Sequence, residues 1–156
     1  MNASSTRVRP ALKGDLPEIV RMLANDPFGS QRERSIEPLP GSYYEAFGAI
    51  EQDLNNELVV AEKENGGVVA VLQLTFTPYI THQGGWRATI EGVRVDRKFR
   101  GTGLGRDLFA WAIRRAKDRG CHIVQLTTDK ERPEALRFYE SLGFTASHEG
   151  MKLKLS

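Results

Sequence analysis

The chain of 156 residues contains one cysteine, Cys121, and three histidines, at positions 82, 122 and 148. A single thiol can close no internal disulfide and gives no support for an oxidising compartment. The histidines are scattered, and with one cysteine they offer no metal-ligand spacing, so no metal is expected. No apolar run approaches the length needed to cross a bilayer. The first residues, Met-Asn-Ala-Ser-Ser-Thr-Arg, lack the apolar stretch of a secretory signal, so a cytoplasmic location and no membrane partner are expected. Charge of one sign is also scarce: 22 Lys and Arg stand against 20 Asp and Glu, a net charge of +2. Basic residues alternate with acidic ones along most of the chain, which argues against a nucleic-acid partner.

What is present suits one globular domain over residues 1–156, with 40% hydrophobic and 27% charged residues and enough length for a real core. Val8-Arg9-Pro10 forms a short strand pattern. Asp15 followed by Glu18 suggests a capping box, and Leu16, Ile19, Val20 and Leu23 then share a helical face. Residues 26–41, with three prolines, read as a loop. Tyr43, Phe47, Ile50 and Leu54 give a second helical stripe.

Leu58–Glu62 and Val68–Phe76 are strands joined by a hairpin at Asn65-Gly66-Gly67. A polar turn at 81–85 leads to a strand over Trp86–Val95. Helical spacing follows over Gly103–Arg119, then a strand over Cys121–Thr127. A helix starting at Pro133 carries Ala135, Phe138, Tyr139 and Leu142 on its apolar face, with Gly143 as its stop. Residues 144–156 have the length for one or two closing strands. The order β-α-α-β-β-β-α-β-α-β predicts an α+β fold, a helix-flanked mixed sheet that begins antiparallel and continues through a crossover.

The informative segment is Val93 to Arg106. It holds five basic side chains (Arg94, Arg97, Lys98, Arg100, Arg106) against one acid, Asp96. A strand runs into a basic turn and then into three alternating glycines, Gly101, Gly103 and Gly105, at a helix start. Glycines allow close backbone approach. The first amides of a helix lack internal partners, and the dipole there favours negative charge, so the segment predicts a phosphate site. The dinucleotide fingerprint fails because positions 106 and 108 are Arg and Leu. The nucleotide P-loop pattern fails as well.

Arg100-Gly101-Thr102-Gly103-Leu104-Gly105 resembles the Q/R-x-x-G-x-G/A signature of GNAT acetyltransferases. Ala135-Leu136-Arg137-Phe138-Tyr139-Glu140-Ser141-Leu142-Gly143-Phe144 is similar to their second hallmark, a helix running into a strand. The resemblance covers about residues 6–155, with a motif core at about 86–144. It implies a GNAT fold of six to seven mostly antiparallel strands flanked by four helices, with a splay between the two central strands. It also implies acetyl-CoA as co-substrate and a primary amine of a small molecule or peptide as acceptor.

By the same resemblance, amides from Arg100 through Thr102, Leu104 and Gly105 to Arg106 hold the pyrophosphate, and the strand edge at Val93, Arg94 and Val95 pairs with the pantetheine arm. That pairing needs an opening in the sheet, for which Gly92 is a suitable bulge. Glu91 matches the general base and Tyr139 the general acid beside sulfur. The Val93 amide matches the donor to the tetrahedral oxyanion. The family commonly has Asn seven residues before the tyrosine; this chain has Arg132, which could reach a CoA phosphate or the acceptor. A homodimer is compatible with the family. The rival reading is a non-catalytic CoA-binding regulatory or partner module; retention of both Glu91 and Tyr139 weighs against it.

Overall fold

The computed structural model describes residues 5–156. Strands β1 (Thr6–Pro10), β2 (Asn56–Lys63), β3 (Val68–Pro78), β4 (Trp86–Val95) and β5 (Ile123–Gln125) form one sheet in that order. The first three junctions are antiparallel and the last is parallel. That change of sense follows from connection length: a short turn returns the chain antiparallel, whereas β5 is reached only after a crossover helix. At the β2–β3 hairpin the Lys63 amide donates to the Gly67 carbonyl at 2.8 Å, as the Asn-Gly-Gly signal anticipates.

Helices α1 (Leu16–Ala24) and α3 (Gly41–Gln52) cover one face, while α5 (Leu104–Asp118) and α6 (Pro133–Ser141) lie on the other. Two single turns, α2 (Gly29–Arg32) and α4 (Thr81–Gly84), lie between them, α2 inside the stretch expected to be loop alone. Strand alternation divides the core. Val60 and Val71 face Leu16, Ile19, Val20 and Phe47 from α1 and α3. Val59, Ala61, Leu72, Leu74, Ala88 and Ile90 face Leu108, Phe109 and Ala112 of α5. Phe109 also meets Phe138, Tyr139 and Phe144, with ring centroids 5.6–6.2 Å apart, and so fixes α6 against α5. Both α5 and α6 end in paired carbonyl caps. Cys121 N donates to Ala116 O at 3.0 Å, and Phe144 N to Tyr139 O at 3.1 Å.

Three expectations are corrected. Among the described residues the sheet has five strands rather than six or seven, because residues 145–156 form no ladder; Met151, Leu153 and Leu155 of that tail are exposed. β5 is shorter than the predicted 121–127, since its pairing with β4 stops at Thr89–Gln125. Asp15 forms no side-chain cap on α1. Its carboxylate instead reaches back to accept the Leu12 amide at 2.7 Å and pairs with Arg9 at 2.7 Å, which caps the turn before α1 rather than α1 itself.

Arg9 also bridges to Glu62 at 3.0 Å, tying the first helix to β1 and β2. Hydrogen bonds from Arg9 hold both the Asp15 and Glu62 carboxyls below their usual values. A carboxyl with a depressed folded-state pKa stabilises the fold above its unfolded value, and that contribution disappears as pH falls through the folded value. The urea midpoint should therefore hold steady from neutral pH and fall below about pH 4. In Arg9→Met that acid limb should be shallower; an unchanged limb would show that the pairing contributes nothing.

Candidate active site

The site begins with one irregularity in β4. Gln73 of β3 stands opposite Glu91 and Val71 stands opposite Arg94, so Gly92 and Val93 together face the single residue Leu72. This is a β-bulge, and Gly92 adopts φ +60°, a conformation that favours glycine. A regular strand would put residues 91 and 94 on opposite faces. The extra residue puts Glu91 and Arg94 on one face, that of Val71 and therefore of α1 and α3.

Beyond Thr89–Gln125 the edge of β4 facing β5 is unpaired. The Asp96 amide donates to Val69 O at 2.8 Å, so by alternation Val93 and Val95 turn their amides and carbonyls away from β3 into this opening. The Val93 carbonyl accepts from Arg94 Nη1 at 2.7 Å, and the Val95 carbonyl from Arg100 Nε at 3.4 Å.

The turn after β4 is built on Asp96. Its Oδ1 accepts the Lys98 amide at 3.0 Å, its other oxygen pairs with Arg21, and the Phe99 amide donates to its carbonyl at 2.8 Å. Burial pushes this carboxyl up, but the Lys98 amide and Arg21 outweigh that and hold it below its ordinary value. Gly103, at φ +88°, brings the chain into α5. Among the described residues, no amide from Gly101 to Arg106 donates to a protein acceptor. Only the Arg100 amide turns inward, to Arg97 O at 3.5 Å. The result is a row of outward donors at a fifteen-residue helix start.

Two basic side chains of the segment are engaged with neighbouring elements. Arg100 reaches the Asn25 carbonyl at 3.4 Å, and Arg106 bonds Ser141 Oγ at 3.0 Å while lying over the Phe138 ring. Both tie the loop to its neighbours, leaving the backbone to meet an anion. Val95 Cγ2 and Phe138 pack around Gly105, where an added methyl group would make ordinary contacts at 3.7 and 3.8 Å.

Glu91 is exposed at the bulge. Tyr139 is half-buried among Phe109, Phe138 and Phe144, on the opposite side of the sheet. Its hydroxyl bonds to no described residue and is accessible to solvent. Glu91 and Tyr139 thus lie on opposite faces of the sheet. Burial pushes the Cys121 thiol up, which makes it a poor nucleophile. The Tyr79, His82 and His122 rings cluster at the far end of β4, away from the glycine loop.

Asp26 and Arg32, in the stretch expected to be loop, also belong to this site. Asp26 Oδ1 accepts the Gly29 amide at 2.6 Å, and Oδ2 lies 2.9 Å from Arg94 Nε. Burial pushes Asp26 up, but the Gly29 amide, Arg94 and Arg132 hold it below its ordinary value. Burial lowers Arg94, Asp26 opposes this, and Arg132 and Arg32 reinforce it. The Asp-Pro-Phe-Gly run was the available signal, since Asp commonly closes such turns through its side chain.

The acetyltransferase (GNAT) family model matches residues 19–144, and the chain belongs to that family. It is 34% identical over 97 residues to glucosamine 6-phosphate N-acetyltransferase of Trypanosoma brucei brucei, covering 62% of this chain and 64% of that protein. It is 33% identical over 84 residues to aminoalkylphosphonate N-acetyltransferase of Salmonella typhimurium, covering 54% of each. The chain thus spans less than two thirds of either curated relative. A crystal structure described as a transcriptional regulator from Bacillus halodurans shares 58% identity, covers 97% of this chain and 100% of its own, and superposes with a TM-score of 0.92.

The Asp26–Gly29 turn leaves no room for a side chain. A Cβ on Gly29 would lie 1.9 Å from the Leu23 carbonyl oxygen. Gly29→Ala should lower unfolding stability by about 1–3 kcal/mol in urea denaturation. Wild-type stability in that variant would mean that the turn is not built this way.

Proposed function

We propose that the protein is an acetyl-CoA-dependent N-acetyltransferase that acetylates a primary amine of a small molecule by direct transfer in a ternary complex. The observation that carries this reading is the row of unengaged amides from Gly101 to Arg106 beside a sheet opened by the Gly92 bulge. The curated relatives are named for acetyl transfer to glucosamine 6-phosphate and to aminoalkylphosphonates, which favours a small amine as acceptor.

The residues present fit a CoA thioester. Donors from Gly101 to Arg106 suit a diphosphate at a helix start, and the outward amides of Val93 and Val95 suit an extended amide-bearing arm added as a further strand. The thioester supplies an activated acetyl group and a thiolate leaving group. Glu91 takes the proton that the attacking nitrogen must lose. The C–N bond forms first, and as the C–S bond then breaks Tyr139 gives its hydroxyl proton to the departing sulfur. The Val93 amide donates to the carbonyl oxygen as negative charge develops there.

Tyr139→Phe should lower kcat about 10²–10⁴-fold, with little change in the KM for acetyl-CoA. Glu91→Gln should lower kcat/KM most at modest pH, where the amine is protonated, and progressively less as pH rises. Both are read by thiol release, with mass spectrometry of the product over an amine panel. Wild-type kinetics in both variants would remove these roles. CoA binding with no acetylated product over a broad panel would favour a non-catalytic module.

A further inference from the structure

We propose that Asp26 is a positioning residue for acetyl transfer: it holds Arg94, and Arg94 in turn fixes the Val93 peptide at the bulge. The effect on rate rests on the acetyl-transfer reading, whereas the latch itself is argued from contacts within this chain.

The bulge is the part of β4 that the sheet does not hold. Between Trp86 and Val95, Gly92 and Val93 alone have no partner on β3, and β4 pairs with β5 only from Arg87 to Thr89. Leaving a residue outside the ladder is what a bulge does. Packing restrains one side of it. The Val93 side chain leans on the core beneath α5, but a Cβ built on Gly92 would meet nothing within 4 Å beyond its chain neighbours. A glycine at positive φ with open space around it is a joint, and Val93, the donor to the developing oxyanion, follows it directly.

Arg94 supplies the missing restraint. Its Nη1 donates to the Val93 carbonyl at 2.7 Å. A free arginine side chain samples many rotamers, so the guanidinium must itself be held. Asp26 does this, with Oδ2 2.9 Å from Arg94 Nε and side chains only 13% and 16% exposed. Both atoms are buried and neither makes an aligned hydrogen bond, so charge rather than direction draws them together. The carboxylate is anchored behind: Oδ1 accepts the Gly29 amide at 2.6 Å, and the Ser30 amide donates to the Asp26 carbonyl at 2.9 Å. A line of contacts thus runs from the turn after α1, through two charged groups, to the bulge.

The next carbonyl along the same edge is held alike. Arg100 donates through Nε to Val95 O and through Nη2 to Asn25 O, each at 3.4 Å. The end of α1 therefore holds two arginines, and each arginine holds one carbonyl of the open edge. An oxyanion donor works by being aimed before charge develops. Fixing the Val93 carbonyl restrains the residue that carries that donor. A neutral isostere at position 26 keeps the side-chain oxygen for Gly29 and removes the charge that holds Arg94.

The test compares Asp26→Asn, Arg94→Met and the double variant with wild type in steady-state acetylation and thermal melts. Each single variant leaves one charge buried without its partner and should melt below wild type; the double variant should recover most of that loss. The rate should not recover with it. In all three variants kcat should fall about 10–100-fold, the scale of a misplaced reacting group, with the KM for acetyl-CoA near wild type. In amide-resolved NMR of the free protein, the Val93 amide should shift and exchange faster in Asp26→Asn, while the amides of β4 paired with β3 on either side stay in place.

A kcat that recovers together with the melting temperature in the double variant would make the pair a stabilising contact alone and overturn the proposal. So would losses of kcat that add in the double variant, a raised KM with kcat unchanged, or a Val93 amide unmoved in Asp26→Asn. If wild type acetylates no amine, the transfer reading falls, and the Val93 amide alone decides whether the latch exists.

Discussion

One extra residue in β4 sets the geometry of the site. With Gly92 and Val93 both opposite Leu72, the strand keeps its hydrogen bonds to β3 on either side, reverses its facing in between and turns away from β5. Without that insertion Glu91 and Arg94 would lie on opposite faces. A glycine at φ +60° lets this happen at little conformational cost, whereas a side chain there would be strained. The opening is thus local. The core above and below it, from Ala88 and Ile90 to Val71, stays closely packed.

The surrounding structure serves to hold that opening. Asp96 fixes the exit of β4 through a backbone bond to β3, an amide bond to Lys98 and an ion pair with Arg21, so the glycine turn starts from a rigid base. Arg100 and Arg106 secure the turn to α1 and α6, and Phe109 secures α6 to α5. Basic side chains near a phosphate-type loop are easily assumed to meet the ligand. Here Arg100 and Arg106 brace the backbone, and the backbone carries free donors.

Much of this was legible in the sequence because it rests on local rules. Asn65-Gly66-Gly67 makes the hairpin, Gly120 and Gly143 stop their helices, and alternating glycines at a helix start mark the donor turn. The bulge was legible as an isolated glycine inside a strand pattern. What could not be read depends on long-range partners. Asp26 acquires meaning only when the chain folds back to place it against Arg94, far away in sequence. The closing strands failed for the same reason: Met-Lys-Leu-Lys-Leu has strand alternation, but a strand also needs an edge to pair with, and this tail forms no ladder. Asp15 does cap a turn, but the one before α1, through the Leu12 amide, while also pairing with Arg9.

The central claim is that the main chain of one turn, rather than its side chains, receives a diphosphate. The most direct measurement is an amide-resolved NMR titration of the protein with CoA, with hydrogen exchange followed in the free protein. The account predicts rapid exchange for Gly101 to Arg106 before CoA is added, and large shifts confined to these amides and to Val93 and Val95 afterwards. Protected loop amides in the free protein, or CoA binding that leaves them unmoved, would contradict it.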